Sequence, residues 1–121
     1  MKTYSFEKLI VWQKARNLAG VIYKSSMNFP KEELFGLTSQ MRRCGISISS
    51  NISEGSGRQN AKDKARFTEI AYSSALELLN QLIIAKDLEY VSAENYTLIR
   101  TELEETTFML DSLRKSQLKS E

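Results

Sequence analysis

The chain is predicted to be all-α, an antiparallel up-and-down four-helix bundle made by a single domain over residues 1–121. Three observations predict it. Punctuation is sparse, with one proline and five glycines, whereas sandwiches and barrels need many turns. Apolar residues recur at intervals of three and four over four long stretches, the period of a helix buried along one face. The composition, 41% hydrophobic and 26% charged, is that of a globular domain rather than a disordered chain.

The first helix is expected over residues 6–28. Lys8, Trp12, Ala15, Ala19, Ile22 and Ser26 step by 4, 3, 4, 3, 4, and Leu9, Leu18 and Tyr23 widen that stripe. Ser5 suits its N-cap. Phe29-Pro30 ends it, because the residue before a proline is pushed out of the helical region. The second helix is expected over residues 31–55, with a break at Gly36. Its apolar line is Leu37, Met41, Cys44, Ile48 and Ile52, and the glycines at 55 and 57 close it.

The third helix is expected over residues 60–88, with Asn60 as cap and Asp63 at the positive end of the helix dipole. It carries two adjacent apolar stripes. One is Phe67, Ala71, Ser74, Leu78 and Ala85; the other is Ala75, Leu79 and Leu82. Two stripes predict more than one neighbour. The fourth helix is expected over residues 92–117, capped by Ser92. Tyr96, Ile99, Leu103, Thr106, Leu110 and Leu113 form a heptad seam. The connection at 89–91 is short, so the third and fourth helices should pack antiparallel.

Charge is distributed unevenly. Residues 1–30 hold five basic and one acidic side chain, residues 42–66 hold six and two, and residues 87–121 hold four and eight. The total is only +2. A basic half beside an acidic last helix suits pairing between elements or copies, or a polyanion on one face.

Histidine is absent, which excludes several functions of helical bundles. Histidine phosphotransfer, the histidine-bearing helical RNases of toxin systems, Glu-x-x-His di-iron sites, Ser-His-Asp or Cys-His catalysis and Cys/His zinc sites all require it. Cys44 is the only cysteine, so no intrachain disulfide forms, and its place on the apolar line predicts a core residue. Gly55-Ser56-Gly57 reads as a helix terminator rather than a phosphate loop. Glu102, Glu104 and Glu105 read as a solvated face, with nothing apolar around them to raise a pKa. No catalytic, cofactor-binding or metal-ligating residue is therefore assigned, and neither an enzyme nor a small-molecule substrate is expected. The N-terminus lacks the apolar core of a signal peptide. No run approaches the ~18 apolar residues of a membrane span. The expectation is a cytoplasmic protein that does not enter a membrane.

Two surface features remain. On the second helix Gln40, Cys44, Ser47, Asn51, Glu54 and Arg58 step by 4, 3, 4, 3, 4, and all but Cys44 are polar. Solvent faces usually carry Lys and Glu, whereas this line is rich in small side chains. It is either a solvent face or a surface packed on another helix, in this chain or in a copy. Glu54 and Arg58 stand in the favourable order for an ion pair. The second feature is a basic patch of Arg42, Arg43, Arg58, Lys62, Lys64 and Arg66, elongated or split because Arg42 and Arg43 lie about four turns from the rest. It is either ordinary surface charge or a contact for phosphates. Tyr72 and Phe67 are the only aromatics nearby for stacking.

Phe6-Glu7-Lys8-Leu9 followed by Val11-Trp12-Gln13-Lys14-Ala15 resembles the opening of the 23S rRNA intervening-sequence protein family. Phe29-Pro30-Lys31-Glu32-Glu33, Gly36-Leu37-Thr38-Ser39-Gln40 and Arg42-Arg43 continue the resemblance. Asn51-Ile52-Ser53-Glu54-Gly55 with Gly57-Arg58 is similar to the family's Asn-Ile-Ala-Glu-Gly signature, with serine at the alanine position. Leu76-Glu77 to Ala85-Lys86 fits its third helix. The resemblance implies a bacterial four-helix bundle that assembles as a ring-like pentamer. A related branch resembles the accessory protein of diversity-generating retroelements, which binds a reverse transcriptase and nucleic acid through basic surface. The family supplies no catalytic residue. The expectation is thus a non-enzymatic homo-oligomer that binds RNA or a ribonucleoprotein. The alternative is a protein-interaction scaffold that binds no nucleic acid.

Overall fold

A computed structural model describes residues 1–119 and contains four long helices: α1 Ile10–Ser26, α2 Ser39–Ser56, α3 Ala61–Asp87 and α4 Ala93–Lys119. No strand occurs among the described residues. Each helix packs on its chain neighbours and α4 closes back onto α1, giving a four-helix bundle. The core lies along its axis. Leu18 and Ile22 of α1, Met41 and Ile48 of α2, Leu78 and Leu82 of α3, and Ile99, Leu103 and Leu110 of α4 are all at most 2% exposed. Burying each such side chain contributes about 1.5–3 kcal/mol. α3 buries residues from both of its stripes because it sits between α2 and α4.

The first helix starts later than its pattern suggests. Ser5–Lys8 is a separate 3₁₀ turn, and its N-cap is Tyr4 rather than Ser5. Glu7 Oε2 accepts the Tyr4 N–H at 2.7 Å. Leu9 is extended and starts α1 afresh, so Lys8 leaves the stripe and is exposed. The buried face of α1 is Val11, Ala15, Leu18, Ile22 and Ser26.

The break at Gly36 is real and wider than one residue. Lys31–Glu33 is a 3₁₀ turn and Leu34–Thr38 a π-type turn, with Gly36 at φ −115°, ψ −115°. A Cβ at Gly36 would lie 2.8 Å from Glu33 Oε1. That oxygen accepts the Leu37 N–H at 3.1 Å, while Oε2 accepts the Tyr90 hydroxyl at 3.0 Å. Glycine leaves room for this clamp, which ties the α1–α2 connection to the α3–α4 turn. The hydrogen bond to Glu33 holds the Tyr90 hydroxyl protonated to higher pH than usual, with burial adding to it.

The other ends follow capping chemistry. Asn60 Oδ1 accepts the Asp63 N–H at 2.8 Å, and Ser92 Oγ accepts the Asn95 N–H at 3.1 Å. α3 ends in a Schellman-type closure. Tyr90 N–H reaches the Ala85 carbonyl and Glu89 N–H the Lys86 carbonyl, each at 2.9 Å. Glu89 takes the left-handed position, at φ 64°, that glycine usually fills.

Candidate nucleic-acid interface

The six basic residues separate into engaged and free groups. Arg42 is engaged with α1. Its Nε donates to Ser26 Oγ at 2.9 Å and its Nη2 to the Tyr23 carbonyl at 3.3 Å, while the guanidinium lies 4.7 Å over the Tyr23 ring. It thereby satisfies a carbonyl in the last turn of α1, where intrahelical partners run out. Arg43 bridges α2 to α3, donating to Gln40 Oε1 at 2.9 Å and pairing with Glu77 at 3.0 Å.

Arg58, Lys62 and Arg66 stand around the α2–α3 turn, and all three are exposed. None has an ion pair among the described residues. The Glu54–Arg58 pair suggested by spacing does not form. The helix ends before Arg58, because Gly57 closes α2, and the guanidinium instead lies 4.5 Å over the Phe67 ring. Gly55 supports that arrangement: a Cβ there would come 2.7 Å from Phe67 Cβ. Lys64 departs from the group. It is half-buried and faces a groove of about 450 Å³ shared with Ser5, Ser56 and Gln117. Residues 54–66 hold four cations and two acids, Glu54 and Asp63, and Asp63 is tied into the Asn60 cap.

The acids of α4 are largely committed within the chain. Lys14 of α1 reaches Glu102 at 3.1 Å and Glu105 at 2.5 Å. These two glutamates are therefore not simply a solvated face; they clamp α4 to α1, and their hydrogen bonds, Glu105 first, hold the Lys14 ammonium above its ordinary pKa. Glu104 pairs with Arg100, Asp111 with Lys115, and Glu69 of α3 with Arg114.

The polar line of α2 is resolved by packing. Ser47 Oγ and Ser74 Oγ of α3 are 2.9 Å apart, and Asn51 Nδ2 donates to the Ser47 carbonyl at 2.8 Å and to its Oγ at 3.1 Å. The middle of the line thus packs on α3 of the same chain, where Ala71, Ser74 and Ala75 allow close approach. Gln40 and Glu54 at its ends are exposed. Cys44 is fully buried, and burial pushes its thiol pKa up. Below it Gln81 is 8% exposed, with Nε2 reaching Glu77 at 3.5 Å and Oε1 lacking a partner among the described residues.

Tyr72 and Phe67 offer no free ring: Tyr72 packs against the core and Phe67 lies under Arg58. The exposed aromatics are elsewhere. Phe35 is 93% exposed, beside Leu34 and across from Met27 in the α1–α2 connection. Residue spacing missed this corner because the π-type turn shifts Leu34 and Phe35 off the helical register. The one available signal was an apolar pair directly before the breaking glycine.

Among the described residues no group of three or more Cys, Asp and Glu side chains is placed to hold a metal ion. No described helix is long and apolar enough to cross a membrane.

A family model described as 23S rRNA-intervening sequence protein matches residues 7–112. Among solved structures, the chain is similar to a protein of unknown function from the S23 ribosomal protein family of Bacteroides thetaiotaomicron. The two share 29% identity and superpose with a TM-score of 0.79, over 88% of this chain and 99% of that one. No curated protein matches.

Proposed function

The chain belongs to the 23S rRNA-intervening sequence protein family, and on that premise we propose that it is a non-enzymatic, oligomeric bundle that binds RNA or a ribonucleoprotein partner through its basic end. The observation that carries this reading is the α2–α3 turn. Arg58, Lys62 and Arg66 are exposed there without a carboxylate partner among the described residues. Lys14, Arg43, Arg100, Arg114 and Lys115 each have one. A free cation meets a phosphate without first giving up an ion pair, and such contacts supply affinity without reading sequence.

A salt-titrated binding assay with an RNA hairpin tests it. The logarithm of affinity should fall linearly with the logarithm of salt concentration. Replacing Arg58, Lys62 and Arg66 by alanine should weaken binding and flatten that slope by about 0.7–0.9 for each phosphate that is no longer neutralised. Undetectable binding at low salt, or unchanged affinity in the triple variant, refutes the reading. A reverse transcriptase is the protein partner that the retroelement-accessory resemblance suggests, and co-purification with one encoded beside this gene checks that.

The oligomer is supported by the outer face of α3. Leu76, Ile83 and Ile84 are 48%, 37% and 41% exposed there, with Asn80 between them and small Ser73 one turn before Leu76. Grouped exposed apolar side chains mark interaction surfaces. Light scattering should give the pentamer, five times 13.8 kDa; a monomer refutes it. The same face also favours a second reading, a protein scaffold that binds no nucleic acid. An assembled ring that ignores RNA at low salt would select that reading.

A further inference from the structure

At the end of α2 opposite the Arg58 turn, the α1–α2 connection forms a groove of about 430 Å³. Met27, Phe29, Pro30 and Leu34 wall it, and Lys31 and Arg42 stand at its rim. Its apolar edge faces water: Met27 is 75% and Leu34 49% exposed, and the adjoining Phe35 is 93% exposed. Its cations are not neutralised. Lys24 and Lys31 are exposed without a carboxylate partner among the described residues, and Arg42 donates only to a hydroxyl and a carbonyl. No acid lies between Glu7 and Glu32. Glu33 turns its carboxylate inward onto Leu37 N–H and the Tyr90 hydroxyl, leaving Glu32 as the one exposed acid of the connection. That same clamp fixes the turn that presents Phe35.

An apolar surface with an outward aromatic ring, rimmed by cations that no carboxylate neutralises, is complementary to a ligand that joins a flat apolar face to a negative charge. An unpaired nucleotide has that chemistry: its base stacks on an aromatic side chain and its phosphate meets lysine or arginine. A duplex, with its bases stacked inside, does not present it.

We propose that this corner receives an unpaired nucleotide of a bound RNA, its base against Leu34 and Phe35 and its phosphate facing Lys31 and Arg42. The proposal rests on the RNA-binding reading above and adds a second contact, specific for single strands, at the far end of α2.

The test compares the intact protein on two labelled probes, a blunt-ended, fully paired RNA duplex and an unstructured oligouridine. Phe35→Ala should weaken oligouridine binding by about 5- to 150-fold, the range of one base stack, and leave duplex binding unchanged. Lys31→Ala should flatten the oligouridine salt slope by about 0.7. Phe35→Trp should keep the affinity. A wild-type protein that binds the duplex but not oligouridine overturns the proposal alone. So does a Phe35→Ala protein that binds oligouridine normally, or one whose native mass changes, which would assign the corner to a second copy. A wild-type protein that binds neither probe removes the RNA reading and this inference together.

Discussion

Arg42 and Arg43 near the start of α2 and Arg58, Lys62 and Arg66 beyond its end are alike in residue type, yet their surroundings differ. The first pair is held by α1 and α3: Arg42 by Ser26 and the Tyr23 carbonyl, Arg43 by Gln40 and Glu77. The second group has only the Phe67 ring, under Arg58, and solvent. Sixteen residues of chain, about 24 Å as helix, separate Arg42 from Arg58. A cation bonded to its own fold contributes to stability, whereas one with only solvent around it does not. The two groups should therefore answer differently to substitution.

Gly55→Ala should have the largest effect on stability. The new methyl would meet Phe67 Cβ and the Lys64 carbonyl. Overpacking of about 1–3 kcal/mol opposes the roughly 1 kcal/mol gained by alanine in a helix. A net loss of up to about 2 kcal/mol in chemical denaturation is expected, together with displacement of the ring under Arg58. An unchanged midpoint would mean that Phe67 yields freely.

Arg42→Ala comes next, at about 1 kcal/mol, because a half-buried charged donor and the carbonyl it serves lose each other. If thermal melting shows no loss, Arg42 belongs with the free group and the contrast collapses. Lys14→Met should cost less, about 0.5 kcal/mol, since partly exposed ion pairs are weak. Its pH dependence is distinctive. The folded pKa of Lys14 is raised, so its contribution is complete below the ordinary value of 10.5 and disappears as pH rises through the raised value. The melting difference between wild type and Lys14→Met should therefore persist at neutral pH and close in strong alkali. A gap that stays open there would assign the effect to packing instead. The smallest effect belongs to the Lys62→Ala, Arg66→Ala double variant, within about 0.5 kcal/mol for each exposed site. A large loss of stability there would show that these side chains carry structural contacts after all.

Much of the fold was legible from residue spacing. The heptad seam of α4 is buried at Ile99, Leu103, Thr106 and Leu110, and the caps at Asn60 and Ser92 form. Spacing was less informative wherever the backbone leaves the helical register. Leu9 and the π-type turn at Leu34–Thr38 each reset the periodicity, and the Glu54–Arg58 pairing rule failed because α2 stops before its second member. Of the candidate site, the turn that gathers Arg58, Lys62 and Arg66 was visible from order along the chain. Lys64 differs from them in being half-buried beside a groove, because nearby helical positions face different ways. The apolar corner at Phe35 escaped altogether, since exposure is not a property of periodicity.

The absence of histidine, the presence of one cysteine and the four apolar periods are properties of the sequence alone. They determine the exclusion of histidine-dependent chemistry and the all-α bundle, because period and inventory are local. Which charges are spent and which remain could be decided only by tertiary structure. Lys14 meets Glu102 and Glu105 across 88 and 91 positions of chain, and Ser47 meets Ser74 across 27. Electrostatic and hydrogen-bond partners depend on separation in space, which folding sets and linear spacing does not.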